Sequence, residues 1–179
     1  FTIFLVIFQF NTSCLYFWLH IYCKLVFFEF LFYNLFFRKG DSMDFKDKIV
    51  FITGSSRGIG AQMIYDFAKY GANVVINYNN SYDEALKLKT KVEREFSSNV
   101  LLVKGDISNE NDVLKMVSYI ICEFGKIDIL VNNAGICCDS LFDDKTKDNF
   151  IKILEVNLIG TYLVSREVVK FMNDGSKII

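Results

Sequence analysis

Residues 53–60 read Thr-Gly-Ser-Ser-Arg-Gly-Ile-Gly and have the chemistry to bind a phosphate group. They follow an apolar run and open a segment with helical periodicity. Glycines let the backbone turn tightly and approach a pyrophosphate, and a helix N-terminus supplies unpaired N–H groups and the positive end of a dipole. The spacing is Gly-x3-Gly-x-Gly rather than the Gly-x-Gly-x-x-Gly of the common dinucleotide fingerprint. By itself this turn is therefore also compatible with a purely structural role.

Three further polar segments follow apolar runs in the same way. They are Asn-Tyr-Asn-Asn at residues 77–80, Gly-Asp-Ile at residues 105–107 and Asn-Asn-Ala-Gly at residues 132–135. If the runs are parallel strands, all four segments lie at the carboxyl edge of one sheet, where open α/β sheets bind ligands. The sequence therefore predicts one binding site built from four strand ends.

The elements that position these segments alternate along the chain. Short runs rich in β-branched residues predict buried strands at residues 48–53, 73–78, 100–104, 127–132 and 177–179. Helices are expected over residues 58–70, from a capping box at Ser81 and Glu84 onwards, from Ser108 as N-cap to Gly125, and over residues 147–172. This alternation predicts an α/β fold with a doubly wound, Rossmann-like parallel sheet.

Composition excludes several classes of protein. The chain has 179 residues, 52% hydrophobic residues and a net charge of −1, which excludes disorder and gives no reason to expect a nucleic-acid partner. The only histidine precedes residue 43, so histidine catalysis is not expected in the body of the chain. Cys122, Cys137 and Cys138 lack metal-ligand spacing, and we expect no metal site and no disulfide framework.

Residues 1–42 differ in composition from the rest, since eleven of the nineteen phenylalanines lie there. We expect this leader to lie outside the fold, with Met43 as the natural start and the leader as translated upstream sequence. The alternatives are a membrane anchor through residues 1–37 and a targeting segment; the stretch before Lys24 is long enough to span a bilayer, but polar residues interrupt it. The body is accordingly expected in the cytoplasm, or at a membrane if the leader is real.

The combination of motifs resembles the short-chain dehydrogenase/reductase family over residues 45–179. That family carries Thr-Gly-x3-Gly-x-Gly after strand one, an Asp and an aliphatic residue after strand three, and Asn-Asn-Ala-Gly after strand four. The resemblance implies that the glycine turn holds the cofactor pyrophosphate, that Asp106 and Ile107 flank the adenine, and that residues 132–135 line the ribose and nicotinamide side. The residues expected at the cofactor are Gly54, Ser56, Arg57, Gly58, Ile59, Gly60, Tyr78, Asn79, Asp106, Ile107, Asn132, Asn133, Ala134 and Gly135.

The end of strand two predicts which nicotinamide cofactor is used. An acid at that position accepts hydrogen bonds from the ribose 2′-OH of NAD and repels the 2′-phosphate of NADP. Tyr78 stands there, followed by Asn79, and no acid is present. Arg57 in the glycine turn is a charge-assisted donor for a 2′-phosphate, so we expect NADP rather than NAD.

The long fourth helix carries an amide in an apolar stripe. Asn157 lies at helical spacing among Phe150, Ile153, Leu154, Leu158, Thr161, Tyr162, Ser165, Val168, Val169 and Met172. It is either a core amide bonded to backbone or, as the resemblance implies, the Asn of the family's catalytic Asn-Ser-Tyr-Lys tetrad. A second apolar set, Ile151, Val156, Ile159 and Leu163, predicts a second partner for the helix, and the family's homodimers and homotetramers form through this region.

The family's Ser and Tyr-x-x-x-Lys come after the fifth strand, where this sequence stops. The resemblance is strongest to 3-oxoacyl-(acyl-carrier-protein) reductases, with glucose dehydrogenases as the alternative, and implies reduction of a small or carrier-bound carbonyl in the complete form. As given, the chain is expected to bind part of a cofactor without turning it over. The other interpretation is a short, catalytically inactive nucleotide-binding or membrane-anchored protein.

Overall fold

The computed structural model describes residues 45–137, 144 and 146–179, and a five-stranded sheet lies at its centre. The strands are β1 (Ile49–Ile52), β2 (Asn73–Tyr78), β3 (Val100–Lys104), β4 (Ile129–Val131) and β5 (Lys177–Ile178). Their order across the sheet is β3-β2-β1-β4-β5, and every neighbouring pair is parallel. The predicted doubly wound α/β class is confirmed. Residues 1–44, and with them every prediction about the leader, lie outside the described part.

Strands β1 and β4 are shorter than predicted. In β1, a side-chain hydrogen bond and a turn replace the regular strand pairing at the two ends. At the start of β1, the Ile49 N–H donates to the Asp128 carboxylate over 2.9 Å instead of to a neighbouring strand. At its end the backbone turns at Gly54, which has a φ of 60°. The register pairs Phe51 with Val75 and with Leu130, so β1 lies in the middle of the sheet.

Three helices match the predicted positions: α1 (Gly58–Lys69), α2 (Tyr82–Glu95) and α3 (Glu110–Phe124). Two predicted caps are wrong. Asn109, not Ser108, caps α3 by accepting the Asp112 N–H, and the Ser108 hydroxyl donates to Asp106. Ser81 precedes α2 but its side chain makes no capping hydrogen bond, so the capping box does not form.

The predicted fourth helix is divided into segments. It consists of α4 (Lys147–Leu154), a π-helical turn (Glu155–Gly160), α5 (Thr161–Val168) and a short 3₁₀ turn (Val169–Phe171). A π-helical turn contains more residues than an α-helical turn, so it rotates the residues that follow relative to those before it. A single continuous helical stripe therefore does not describe this segment.

The predicted burial of this segment is accordingly wrong for most of its residues. Asn157 is exposed in this chain, and so are Phe150, Leu154, Leu158, Tyr162 and Val169 from the predicted stripe and Ile151 and Ile159 from the second set. The buried residues are instead Gly160, Leu163, Val164, Glu167 and Val168. These buried residues still follow α-helical spacing, so the prediction chose the wrong side of the helix.

The core on one face of the sheet joins strand residues to α3 and α5. Phe51, Val75 and Leu130 are fully buried in a cluster with Val117 and Val164. Elsewhere on the sheet, α1 packs against β1 and β2, and α2 packs against β2 and β3. This packing holds the carboxyl ends of β1 to β4 at a common edge. Among the described residues, no helix has the length and apolarity required to cross a membrane.

Candidate cofactor-binding site

A cleft of about 650 Å³ opens at the carboxyl ends of the first four strands. The predicted residues that line it are Gly54, Ser56, Arg57, Tyr78, Asn79, Asp106, Ile107, Asn133, Ala134 and Gly135. Lining residues that were not among those expected at the cofactor include Asn77, Gly105, Ile136, Lys152 and Val156. The four polar segments therefore meet at one site.

The remaining predicted residues, Gly58, Ile59, Gly60 and Asn132, are not among the lining residues. Gly58, Ile59 and Gly60 form the first turn of α1, with Gly60 buried against Asn133. Asn132 lies between β4 and α5, where its amide Nδ2 donates to the Ser165 hydroxyl over 3.1 Å. Its Oδ1 is buried without a hydrogen-bond partner among the residues that the structure describes.

Thr53 and Asn133 join the glycine turn to the Asn-Asn-Ala-Gly turn. The N–H groups of Asn133 and Ala134 both donate to the Thr53 hydroxyl oxygen, each over 3.0 Å. In the other direction, Asn133 Nδ2 donates to the carbonyl oxygens of Thr53 (2.9 Å) and Gly54 (3.2 Å). These bonds satisfy backbone groups that leave the sheet ladder, so the two turns form one rigid unit.

Gly54 must be a glycine at this junction. Its φ of 60° lies in the left-handed region, where a side chain is strained. A Cβ added there would also lie 2.8 Å from both Cα and Cβ of Ala134. The absence of a side chain therefore allows the two turns to touch.

Asn77 belongs to a polar segment that the sequence placed at the site, but its own role was not predicted. It is buried at the end of β2, where its Oδ1 accepts the Gly54 N–H over 2.8 Å and its Nδ2 donates to the Gly105 carbonyl over 3.1 Å. It thus connects the ends of β1, β2 and β3. The sequence did contain a signal for this role, because Asn77 is an amide inside an otherwise apolar strand and a buried amide needs hydrogen-bond partners.

Asp106 and Ile107 form the far end of the cleft. One carboxylate oxygen of Asp106 accepts the Asn79 amide over 3.0 Å. The other accepts the N–H and the hydroxyl of Ser108 over 2.9 and 2.6 Å. Ile107 is almost fully buried beneath the π turn, and Val156 packs against the same cluster. This end therefore combines a fixed carboxylate with an apolar wall.

Charge at the cleft is mixed. Arg57 and Lys152 are the cations and Asp106 the acid among the described lining residues. Arg57 is the N-cap residue of α1, its side chain makes no capping bond, and the first turn contains no acid. None of the ion pairs between described residues uses Arg57. The first N–H groups of α1 and the guanidinium are therefore available to an anion.

Tyr78 contributes a neutral hydroxyl at the end of β2. Burial raises the pKa of Tyr78 above its usual value, and the neighbouring Tyr82 raises it further. Their rings lie 5.7 Å apart between centroids. At neutral pH Tyr78 therefore places no charge at the end of β2.

Comparison with known proteins matches residues 48–179 to the family model described as short chain dehydrogenase. The chain belongs to the short-chain dehydrogenase family. Its members are NAD(P)-dependent oxidoreductases.

Several family members resemble this short-chain dehydrogenase closely. A short chain dehydrogenase of Claviceps purpurea is 32% identical over 132 residues, which are 74% of this chain and 50% of the relative. Versicolorin reductase 1 of Dothistroma septosporum is 33% identical over 139 residues, or 78% and 52% of the two chains. The solved structure of a Burkholderia cenocepacia short chain dehydrogenase in complex with NADP has a TM-score of 0.71 and 31% identity, covering 75% of this chain and 54% of that one. The chain thus spans about half the length of the relatives that it matches.

Asn157 lies beside the cleft of this short-chain dehydrogenase, and its side-chain amide forms hydrogen bonds with the backbone. Its Oδ1 accepts the Ile136 N–H over 2.8 Å, and its Nδ2 donates to the Ile136 carbonyl over 3.0 Å. These bonds agree with the alternative in which the amide binds backbone, although Asn157 is exposed rather than buried in a core. Its expected place in the catalytic tetrad stays a prediction. The π turn presents Asn157 to the segment that follows Gly135.

A Tyr-x-x-x-Lys spacing, which the sequence reasoning overlooked, occurs in α1 at Tyr65 and Lys69. Neither residue lines the cleft. The Tyr65 hydroxyl donates to Glu95 over 2.6 Å, and this hydrogen bond raises the pKa of Tyr65, the opposite of what a family general acid needs. This pair is therefore not the catalytic pair of the short-chain dehydrogenases.

The described residues of this short-chain dehydrogenase contain no cluster of possible metal ligands. No group of three or more His, Cys, Asp or Glu side chains within residues 45–137, 144 and 146–179 could hold a metal ion. Cys122 and Cys137 are both exposed, and Cys138 lies outside the described residues.

Proposed function

We propose that the protein binds NADP in this cleft and that its complete form transfers a hydride between the nicotinamide and a carbonyl carbon. The observation that carries the proposal is the N-terminus of α1, which opens onto the cleft with no capping side chain and no acid in its first turn. Such an end binds phosphate oxygens through N–H groups and the helix dipole. The residues of the cleft therefore fit a dinucleotide, with Gly54, Ser56 and the first turn of α1 at the pyrophosphate.

The preference for NADP rests on the charges at the end of β2. Tyr78 and Asn79 place no acid there, and Asp106 is already bonded to Asn79 and Ser108. Arg57 supplies the cation that a 2′-phosphate requires. The Burkholderia relative that holds NADP supports the same choice.

In the complete protein, NADPH supplies the hydride, and this chain supplies the walls that hold the cofactor. Asn133 and Ala134 line the nicotinamide side, and Asn157 positions the adjoining backbone through Ile136. A role for Asn157 in the family's proton relay is part of the proposal. Because the Ser and Tyr-x-x-x-Lys of the family follow the fifth strand, we propose that these 179 residues bind NADP without turnover.

The preferred substrate is a 3-oxoacyl group on a carrier or as a small thioester, with a glucose-type alcohol as the alternative. Residues 77–80 and 83–85 resemble both branches, and the versicolorin reductase relative shows that the family fold also serves other substrates. Assays of the complete protein with a 3-oxoacyl thioester and with glucose separate these possibilities. Activity on neither would refute both assignments and leave the cofactor proposal intact.

The experiment that tests the cofactor is calorimetric titration of the purified chain with NADP⁺ and with NAD⁺. We expect tighter binding of NADP⁺, and we expect Arg57→Ala to lose about tenfold in affinity for NADP⁺ while changing little for NAD⁺. Arg94→Ala is the matched control, since Arg94 is exposed and does not line the cleft. Preference for NAD⁺, or an equal loss for both cofactors, would refute the proposal.

We also propose that the chain self-associates and resides in the cytoplasm. Phe150, Leu154, Leu158 and Tyr162 form an exposed apolar face on α4, the π turn and α5. Apolar patches of this kind mark interfaces, and a second copy is the partner that we propose. Light scattering after size exclusion should give a dimer or tetramer, and Leu158→Asp should give a monomer; a monomeric parent chain would refute this.

A further inference from the structure

Gly160 lies at the end of the π turn, where an ordinary helix would favour another residue. Its backbone is helical, with a φ of −59° and a ψ of −46°, so no left-handed conformation requires glycine. Alanine is the better helix former because glycine loses more backbone freedom on folding. A reason for glycine must therefore come from its surroundings.

Those surroundings are the wall of the cleft. A Cβ added at Gly160 would lie 2.8 Å from both Cδ1 and Cγ1 of Ile107 and 3.2 Å from the Ile107 carbonyl carbon. Ile107 also lines the cleft, so it separates Gly160 from the ligand space. Because the interior is close-packed, a methyl group added behind Ile107 has to push this side chain, and the cleft is the open space available to it.

We infer that Gly160 is a positioning residue for the adenosine end of the cleft. Because it has no side chain, Ile107 can pack against the π turn and leave this end of the cleft open. The inference rests on the proposed function, since it assigns this end to the cofactor base. Ile107 and Val156 offer apolar side chains there, while the phosphate-binding N-terminus of α1 lies on the Arg57 side. A flat purine fits the apolar end, and its phosphates fit the polar one.

A double-mutant cycle on the full 179-residue chain tests this inference. Gly160→Ala should weaken binding of NADP⁺ and of 2′,5′-ADP, a probe that carries only the adenosine half, by about tenfold each. Ile107→Ala removes the two atoms nearest the new methyl group. In the Ile107→Ala background, Gly160→Ala should therefore change the affinity by less than about twofold.

Equal losses in both backgrounds would overturn the inference, because Gly160 would then act independently of Ile107. Gly125→Ala is the control for a strained but remote glycine, since a Cβ there meets nothing within 4 Å. Circular dichroism of each variant separates lost binding from lost folding.

A direct measurement distinguishes failure of the inference from failure of the proposed function. If the parent chain binds neither probe, the proposed function fails, and methyl NMR still reports on Ile107. A shifted Ile107 Cδ1 signal, with a contact to the methyl group that Gly160→Ala introduces, supports the positioning role. An unchanged Ile107 signal overturns it.

Discussion

Asn157 pairs both hydrogen-bonding groups of its side-chain amide with the backbone of one residue, Ile136. The Ile136 N–H donates to Oδ1 over 2.8 Å, and Nδ2 donates to the Ile136 carbonyl over 3.0 Å. The pairing ties the π turn to the segment after the Asn-Asn-Ala-Gly turn. An amide can imitate a strand partner in this way because it offers one donor and one acceptor side by side.

Removal of this amide should loosen the connection. We expect Asn157→Ala to lower the free energy of unfolding by about 1 to 2 kcal/mol, the value of two net hydrogen bonds. Urea denaturation measures the change. Glu155→Ala, on the same π turn and exposed, should change it by less than about 0.5 kcal/mol. Equal effects of the two variants would contradict the role that the geometry gives to Asn157.

The buried amide of Asn77 should be more important for stability than any exposed asparagine. Asn77→Ala leaves the Gly54 N–H and the Gly105 carbonyl without their partner, so we expect a loss of about 2 to 4 kcal/mol in unfolding free energy. Asn80→Ala, at an exposed position three residues on, should cost about 0.5 kcal/mol or less. Chemical denaturation of both variants measures the loss of unfolding free energy. A loss below about 1 kcal/mol for Asn77→Ala would show that the turns at Gly54 and Gly105 are stable without the Asn77 amide.

The stability of the sheet should depend on pH through Asp128. Burial by itself would raise the pKa of Asp128, but the Ile49 N–H, Lys126 and Lys48 outweigh it and hold the pKa below its ordinary value. Since the folded state has the lower pKa, the stabilisation is complete above the unfolded pKa and disappears as the pH falls through the folded pKa.

Asp128→Asn should therefore lower the unfolding free energy most at neutral pH, and the difference from the parent chain should shrink below about pH 4. Denaturation at a series of pH values measures it. Asp174→Asn removes an exposed carboxylate and is the matched control. A difference that stays constant from about pH 7 to about pH 3 would show that the Asp128 charge makes no contribution.

Charge at the end of β2 should determine the cofactor. Tyr78→Asp introduces a carboxylate where a ribose 2′-OH is bound in NAD-specific sheets, so we expect NADP⁺ affinity to fall by about tenfold or more and NAD⁺ affinity to rise. Tyr78→Asn removes the ring without adding charge and separates the two effects. Titration with both cofactors provides the test, and parallel losses would show that Tyr78 acts through packing alone.

The alternation of elements and the location of the cleft followed from the sequence alone. Strands β2 and β3 lie where the β-branched runs predicted them, because a strand buried on both faces needs a continuous apolar run. The glycine turn and the Asn-Asn-Ala-Gly segment were recognisable because their backbone requirements are local. Their meeting at one edge followed from the parallel arrangement.

Tertiary structure alone decided the partners of individual side chains. Asn157 bonds the backbone of Ile136, and Gly160 lies against Ile107. Neither contact has a local signal, since each joins residues that are distant in sequence. Local periodicity therefore predicts which elements exist, whereas packing between elements decides which side of a helix is buried and which glycine lies too close to its neighbour for a side chain.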